Sequence, residues 1–116
     1  MNHQALQVDA NRENNVLSIN VTGRIDGLTA SEFESTVTAE IDNDDSGVVI
    51  GLADLSYISS AGLRSILMIA KTLGQRKVEF ALYSVPDSIL EIIKIAGFDR
   101  IISIVSDHAE ALRKVS

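Results

Sequence analysis

The stretch Asp54-Leu55-Ser56-Tyr57-Ile58-Ser59-Ser60-Ala61-Gly62-Leu63-Arg64 joins an apolar run to an amphipathic one. Before it, Val48-Val49-Ile50-Gly51-Leu52-Ala53 shows no polar alternation and is rich in β-branched residues, the pattern of a central strand covered on both faces. After it, Leu63, Ile66, Leu67, Ala70 and Leu73 recur at spacings of three and four, a helix stripe that Gly74 is placed to stop. The strand is expected to deliver Asp54 to its C-terminal end, with a helix beginning a few residues later and two serines at the join. In open α/β sheets the loops beyond the carboxyl ends of strands form the functional surface, so Asp54, Ser59 and Ser60 are the first candidates for a functional role.

Upstream, Leu6, Val8 and Ala10 alternate with polar residues, and the same period returns at Leu17, Ile19 and Val21 after Glu13-Asn14-Asn15. This predicts an antiparallel hairpin with one buried face. Thr22-Gly23-Arg24-Ile25-Asp26-Gly27 then breaks the period with two glycines, which predicts a turn or bulge carrying Arg24 and Asp26 out of the sheet. Thr29-Ala30-Ser31-Glu32 has capping-box spacing ahead of a helix with Ala30, Phe33, Val37 and Ile41 on one face. The acidic segment Asp42 to Gly47 lacks the roughly twelve-residue spacing and terminal glutamate of a calcium loop and reads as a solvated turn.

Downstream, Arg64 and Met68 lie one turn apart off the helix stripe, a plausible contact surface, although a single exposed methionine is ordinary. Lys77 to Tyr83 predicts another strand, and Ser84-Val85-Pro86 a helix entry with Ile89, Ile92, Ile93 and Ala96 as its stripe and Gly97 as its end. Ile101 to Val105 predicts a short last strand, and Ser106-Asp107 the cap of a final helix finished by Arg113 and Lys114. The order is ββαβαβαβα, an α/β single domain over residues 1–116 whose mixed sheet is mostly parallel after the opening hairpin, with helices packed against it.

Composition narrows the function classes. A chain of 116 residues with 46% apolar residues and one proline is a single globular unit rather than a disordered one. No apolar run approaches the ~20 residues of a membrane span and Met1-Asn2-His3-Gln4 is no signal-peptide start, so a cytoplasmic protein without membrane insertion is expected. Without cysteine there is no disulfide, thiol nucleophile or thiolate metal site, and His3 and His108 have no partners at metal-ligand spacing, so no metal or cofactor is expected. A formal charge of −6 disfavours nucleic acid as a partner. Phosphate-binding glycine loops and a G-x-S-x-G elbow are missing, and His108 has no evident path to Ser60, which argues against an enzyme.

What remains is the serine pair. Serine is a preferred N-cap worth ~1 kcal/mol over alanine, so either Ser59 or Ser60 accounts for the cap. The other leaves a hydroxyl exposed at a helix N-terminus, where free amides and the positive dipole end accommodate a phosphate. That phosphate adds roughly −1.5 to −2 charges to an acidic edge. A misplaced charge costing a docked partner about 4 kcal/mol lowers its affinity on the order of a thousandfold.

Asp54 to Leu63 resembles the signature of STAS domains, in particular the bacterial anti-sigma factor antagonists. Thr22 to Asp26 resembles the family's second-strand motif, and Ala96 to Ile101 its segment before the last strand, so the likeness covers nearly all of the chain. The resemblance implies a non-enzymatic partner switch, in which the unmodified protein binds a GHKL-type serine-kinase anti-sigma factor and loses it when one serine is phosphorylated. A metal-dependent serine phosphatase would reverse the modification. By position the acceptor is the serine two residues before Gly62, which is Ser60, with Ser59 as second choice and better placed as the cap. Asp26 and Asp54 match acidic positions at or near the partner-facing surface, which would also include Arg24, Ser59, Ala61, Gly62, Arg64 and Met68. Two positions depart from the family pattern: Ser59 stands where aspartate is frequent, and Ala61 where a hydroxyl residue is. These variants resemble a branch in which the kinase controls something other than a sigma factor. The alternatives are a constitutive STAS subunit, for instance of a membrane lipid-transport assembly, and a receiver-like domain phosphorylated on Asp54. The latter lacks the acidic cluster and lysine that chemistry requires.

Overall fold

The computed structural model describes residues 6–116, so His3 and the opening segment lie outside the described residues. Two strands come first, β1 (Gln7–Glu13) and β2 (Val16–Ile25), followed by α1 (Ala30–Glu40), β3 (Gly47–Ile58) and α2 (Ser60–Gln75). Then come β4 (Glu79–Tyr83), α3 (Asp87–Ile95), a 3₁₀ turn (Phe98–Arg100), β5 (Ser103–Val105) and α4 (His108–Val115). They form a single α/β domain with one five-stranded sheet in the order β1-β2-β3-β4-β5, antiparallel between β1 and β2 and parallel elsewhere. The hairpin is closed by Asn14 and Asn15, both at positive φ (54° and 65°), the conformation of a two-residue type I′ turn and one that asparagine tolerates.

Three helices cover one face of the sheet. Phe33 and Val37 of α1, Ile66, Ile69 and Leu73 of α2, and Ile89 and Ile93 of α3 pack with Leu17, Ile19, Ile50 and Leu52 in the main core. The other face carries a smaller cluster in which Ala111 and Val115 of α4 meet Val16, Val49, Ala81 and Tyr83. This division explains the unbroken apolar run of β3: its residues 47–52 are buried whether they point to one layer or the other.

Several sequence expectations need correction. The central strand does not end at Ala53: it runs to Ile58, and Asp54 is paired with Thr22 inside the ladder. The irregularity expected in β2 falls on its partner, since ten residues of β2 run beside twelve of β3, with register shifts at Asn20/Thr22 and Gly23/Arg24. Arg24 therefore stays in β2, and only Asp26 leaves the sheet.

The capping box of α1 does not form. Thr29 occupies the N-cap position without a side-chain cap bond: its hydroxyl accepts from the Asp26 amide (2.9 Å) and donates to the Arg24 carbonyl (3.0 Å). The Asp26 carbonyl receives the Thr29 and Ala30 amides instead. The acidic turn is not wholly solvated either. Asp45 is buried at 6% exposure, where Arg12 grips both its oxygens (2.7 and 2.8 Å) and the Asp42 amide donates to it (2.7 Å).

Gly74 lies inside α2, whose end is set by Lys77 at φ 59°. The Val78 amide donates to the Leu73 carbonyl (2.9 Å) and the Lys77 amide to the Gly74 carbonyl (3.1 Å), the paired bonds of a Schellman motif. Within α2, Ile69 is fully buried and Leu67 only partly so. Gly97, at φ 81°, does end α3, and Pro86 is its N-cap rather than its first-turn residue. Ile92 and Ala96, expected in the α3 stripe, are exposed, because only Ile89 and Ile93 face the sheet. The last two strands begin later than expected, at Glu79 and Ser103.

Candidate functional site

Ser59 closes the end of β3 onto α2. Its extended backbone (φ −94°, ψ 177°) makes it the N-cap, its hydroxyl accepts from the Gly62 amide (3.2 Å), and its own amide donates to the Ile25 carbonyl (2.9 Å). Ser60 is thereby the first helical residue and is exposed, with Ala61 exposed beside it. The first turn of any helix presents amides without intrahelical acceptors, and the dipole puts partial positive charge there. One serine hydroxyl serves the fold and the next faces outward.

Gly62 is not available to a partner. It is buried under β2 and the end of β3, and a Cβ there would lie 2.6 Å from Ile58 Cγ1 and 2.8 Å from the Ile25 carbonyl oxygen. Its place in the motif is explained by this approach, which lets α2 start directly against the sheet. Ser65, one turn on, is also buried and donates to the Gly62 carbonyl (2.7 Å).

Beside the α2 N-terminus stands the β2–α1 loop. The Asp26 carboxylate accepts from the amides of Leu28 (3.0 Å) and Thr29 (3.2 Å). These bonds, the Leu28 amide foremost, hold its carboxyl below the usual carboxylate range, with the Thr29 hydroxyl and the Arg24 charge acting in the same direction against desolvation. Asp26 thus remains ionised and shapes a loop whose tip, Leu28, is 93% exposed. Arg24 pairs loosely with Asp26 (3.6 Å) and stacks over the Tyr57 ring, 4.3 Å from its centroid.

Between α1 and α2 runs a groove of about 330 Å³, walled by Ala30, Ser31 and Glu34 on one side and Ala61, Arg64 and Met68 on the other. The structure so gathers Arg24, Asp26, Ser59, Ser60, Ala61, Arg64 and Met68 around one end of the α1–α2 layer. Asp54 is exposed but lies back along β3, on the order of 13 Å before the strand end at ~3.3 Å per residue.

Two residues of this surface escape the sequence reading. Tyr57 sits inside the quoted stretch, and its outward turn follows from the bulged register of β3, which no local pattern reveals. Leu28 had a signal: a large apolar residue between Gly27 and Thr29 that belongs to no helix stripe. Among the described residues no group of histidine, aspartate or glutamate side chains is arranged to hold a metal ion, and no helix is long and apolar enough to cross a membrane.

A serine-bearing strand-to-helix join on a five-stranded sheet of this topology defines a class, and residues 7–111 match the STAS domain family, to which the chain belongs. Among its relatives, BtrV of Bordetella bronchiseptica is 34% identical over 89 residues, 77% of each chain. The anti-sigma-B factor antagonist of Listeria monocytogenes is 31% identical over 101 residues, covering 85% of this chain and 87% of its own. In fold, an anti-sigma factor antagonist from Mycobacterium paratuberculosis is similar with a TM-score of 0.86 at 21% identity, covering 97% of this chain and 95% of that one.

Proposed function

We propose that the chain is a partner-switching regulator, an anti-sigma factor antagonist that binds a GHKL-type serine-kinase anti-sigma factor, or a similar kinase regulator, while Ser60 is unmodified. Phosphorylation of Ser60 releases the partner and a metal-dependent serine phosphatase restores binding. The chain itself performs no catalysis in this scheme and works in the cytoplasm. The relatives named as anti-sigma factor antagonists support the class of function. The observation that carries the site is the division of labour between the two serines, since Ser59 is engaged as the cap and Ser60 is exposed at the first helical position.

The docking surface in this reading is the end of the α1–α2 layer. Leu28 offers an apolar anchor, Met68 an adaptable one, and Arg64 and Asp26 complementary charges, while Arg24 and Tyr57 flank the loop. A phosphate on Ser60 is held by first-turn amides and does not require α2 to unfold, so it acts on the partner by charge.

The test is incubation with the partner kinase and ATP. One phosphate per chain is expected, absent from Ser60→Ala and retained in Ser59→Ala, which instead loses ~1 kcal/mol of stability with its cap. Undiminished modification of Ser60→Ala would overturn the site. Unmodified protein that stays bound to its partner in the presence of ATP would point instead to a constitutive subunit.

A further inference from the structure

We propose that the open half of the opposite sheet face is a binding site for a small organic cation, with the hydroxyl of the largely buried Tyr83 as its anchor. The face is the one that α4 covers only in part. Beside the N-terminal end of α4, a concavity of about 410 Å³ is left between its first residue, His108, and the hairpin strands β1 and β2. That size lies within the range of small-molecule pockets. It is on the other side of the sheet from α1 and α2, so the proposal stands apart from the Ser60 switch.

Tyr83 carries the argument. It is 7% exposed, yet no described group hydrogen-bonds to its hydroxyl; its ring contact is His108, centroid to centroid 5.1 Å. No enclosed side-chain oxygen or nitrogen among the described residues lacks a partner, so the unpartnered hydroxyl keeps access to solvent, and Tyr83 is one of the residues that line the concavity. Its path is set by Gly51, where a Cβ would fall 2.5 Å from Tyr83 Cζ and 2.7 Å from Asn20 Oδ1. The ring lies across that notch, with its hydroxyl end close to Asn20. The Tyr83 side chain is held more than nine-tenths buried while its unpartnered hydroxyl stays accessible on the lining of the concavity, where a ligand atom can meet it. Burial also pushes the hydroxyl's pKa up, so it stays neutral and accepts as well as donates.

The lining names the chemistry. Asp9 and Glu13 supply carboxylates and Asn20 an amide oxygen, and none of the described lining residues is lysine or arginine. An anion finds no countercharge there, whereas a compact ligand with charged N–H donors finds acceptors together with two rings to pack its carbon stem. His108 is held as a wall by its ring nitrogen 3.1 Å from Ser18 Oγ.

The experiment is an amide-resolved NMR titration of the full chain with agmatine, which carries an ammonium and a guanidinium, and with succinate as the anionic counterpart. Saturable shifts confined to residues around Asp9, Asn20, Gly51, Tyr83 and His108 are expected with agmatine and not with succinate. Tyr83→Phe, which removes only the hydroxyl, should weaken agmatine roughly tenfold or more, as loss of one hydrogen bond to a charged group does, while keeping the dispersed spectrum of the fold. Absence of shifts at millimolar agmatine would overturn the proposal. So would shifts scattered over the acidic surface, or an affinity unchanged in Tyr83→Phe.

Discussion

At Gly62 the requirement is spatial rather than conformational. Any side chain at this position meets the Ile25 carbonyl oxygen, which as part of the β2–β3 ladder cannot move aside as a flexible side chain can. Gly62→Ala is expected to cost about 1–3 kcal/mol, read as a melting temperature lower by roughly 4–12 °C. A change under about 1 °C would mean that α2 shifts freely on the sheet. The spacing from Ser60 to Gly62 was legible in the sequence as part of a family-like motif, but the sequence assigned Gly62 to the partner surface. Only the packing shows that it is an internal contact, because its neighbours Ile25 and Ile58 come from two different strands. That a serine caps α2 was legible, since N-capping is a local bond between residues three apart, but the residues alone left Ser59 and Ser60 open and the family-like motif favoured Ser59, which is the cap observed.

Among the elements, α2 shows how local preference and observed geometry part. A glycine was present to end the helix, yet the left-handed residue is Lys77, three positions later, where Val78 can join Leu73 in the apolar contact of a Schellman end. Burial of Leu73 and Val78 sets the stop, and a lysine bears the unfavourable φ. Lys77→Gly is expected to stabilise the protein by about 0.5–1 kcal/mol, measured by urea denaturation, because glycine occupies that φ without a Cβ penalty. A destabilised variant would show that the lysine side chain makes contacts that outweigh its backbone strain. In β3 the same lesson takes another form. Polar Asp54, Ser56 and exposed Tyr57 end the apolar run, but pairing with β2 continues to Ile58, since the neighbouring strand supplies hydrogen-bond partners that composition does not disclose.

For the whole molecule, the ion pair of Arg12 with Asp45 ties the outer edge strand to the loop between α1 and β3, and Arg12 also donates to the Glu40 carbonyl (2.6 Å). The Arg12 hydrogen bond, with the Asp42 amide and the Arg12 charge adding to it, holds the Asp45 carboxyl below its ordinary range against desolvation. The folded pKa is therefore below the unfolded value of ~3.9, and the folded state binds fewer protons between them. The stabilisation is fully present above about pH 4 and is lost as pH falls through the folded value. Arg12→Leu should cost about 1–2 kcal/mol at pH 7, a figure reduced by the partial exposure of Arg12, and distinctly less at pH 3. Urea curves at the two pH values check this; an equal loss at both would assign the effect to packing rather than charge.

The sequence by itself determined the order of elements, the hairpin, the two-layer burial of the central strand, the end of α3 and that one of two adjacent serines caps α2. These rest on periodicity and on contacts within a few residues. The tertiary structure alone decided where β3 ends, that Asp26 rather than a capping box receives the first α1 amides, that Asp45 is buried, and that Tyr83 lies across Gly51. Each of these depends on groups from separate strands or loops meeting in space, and the energy of such a meeting is not encoded in any single stretch of chain.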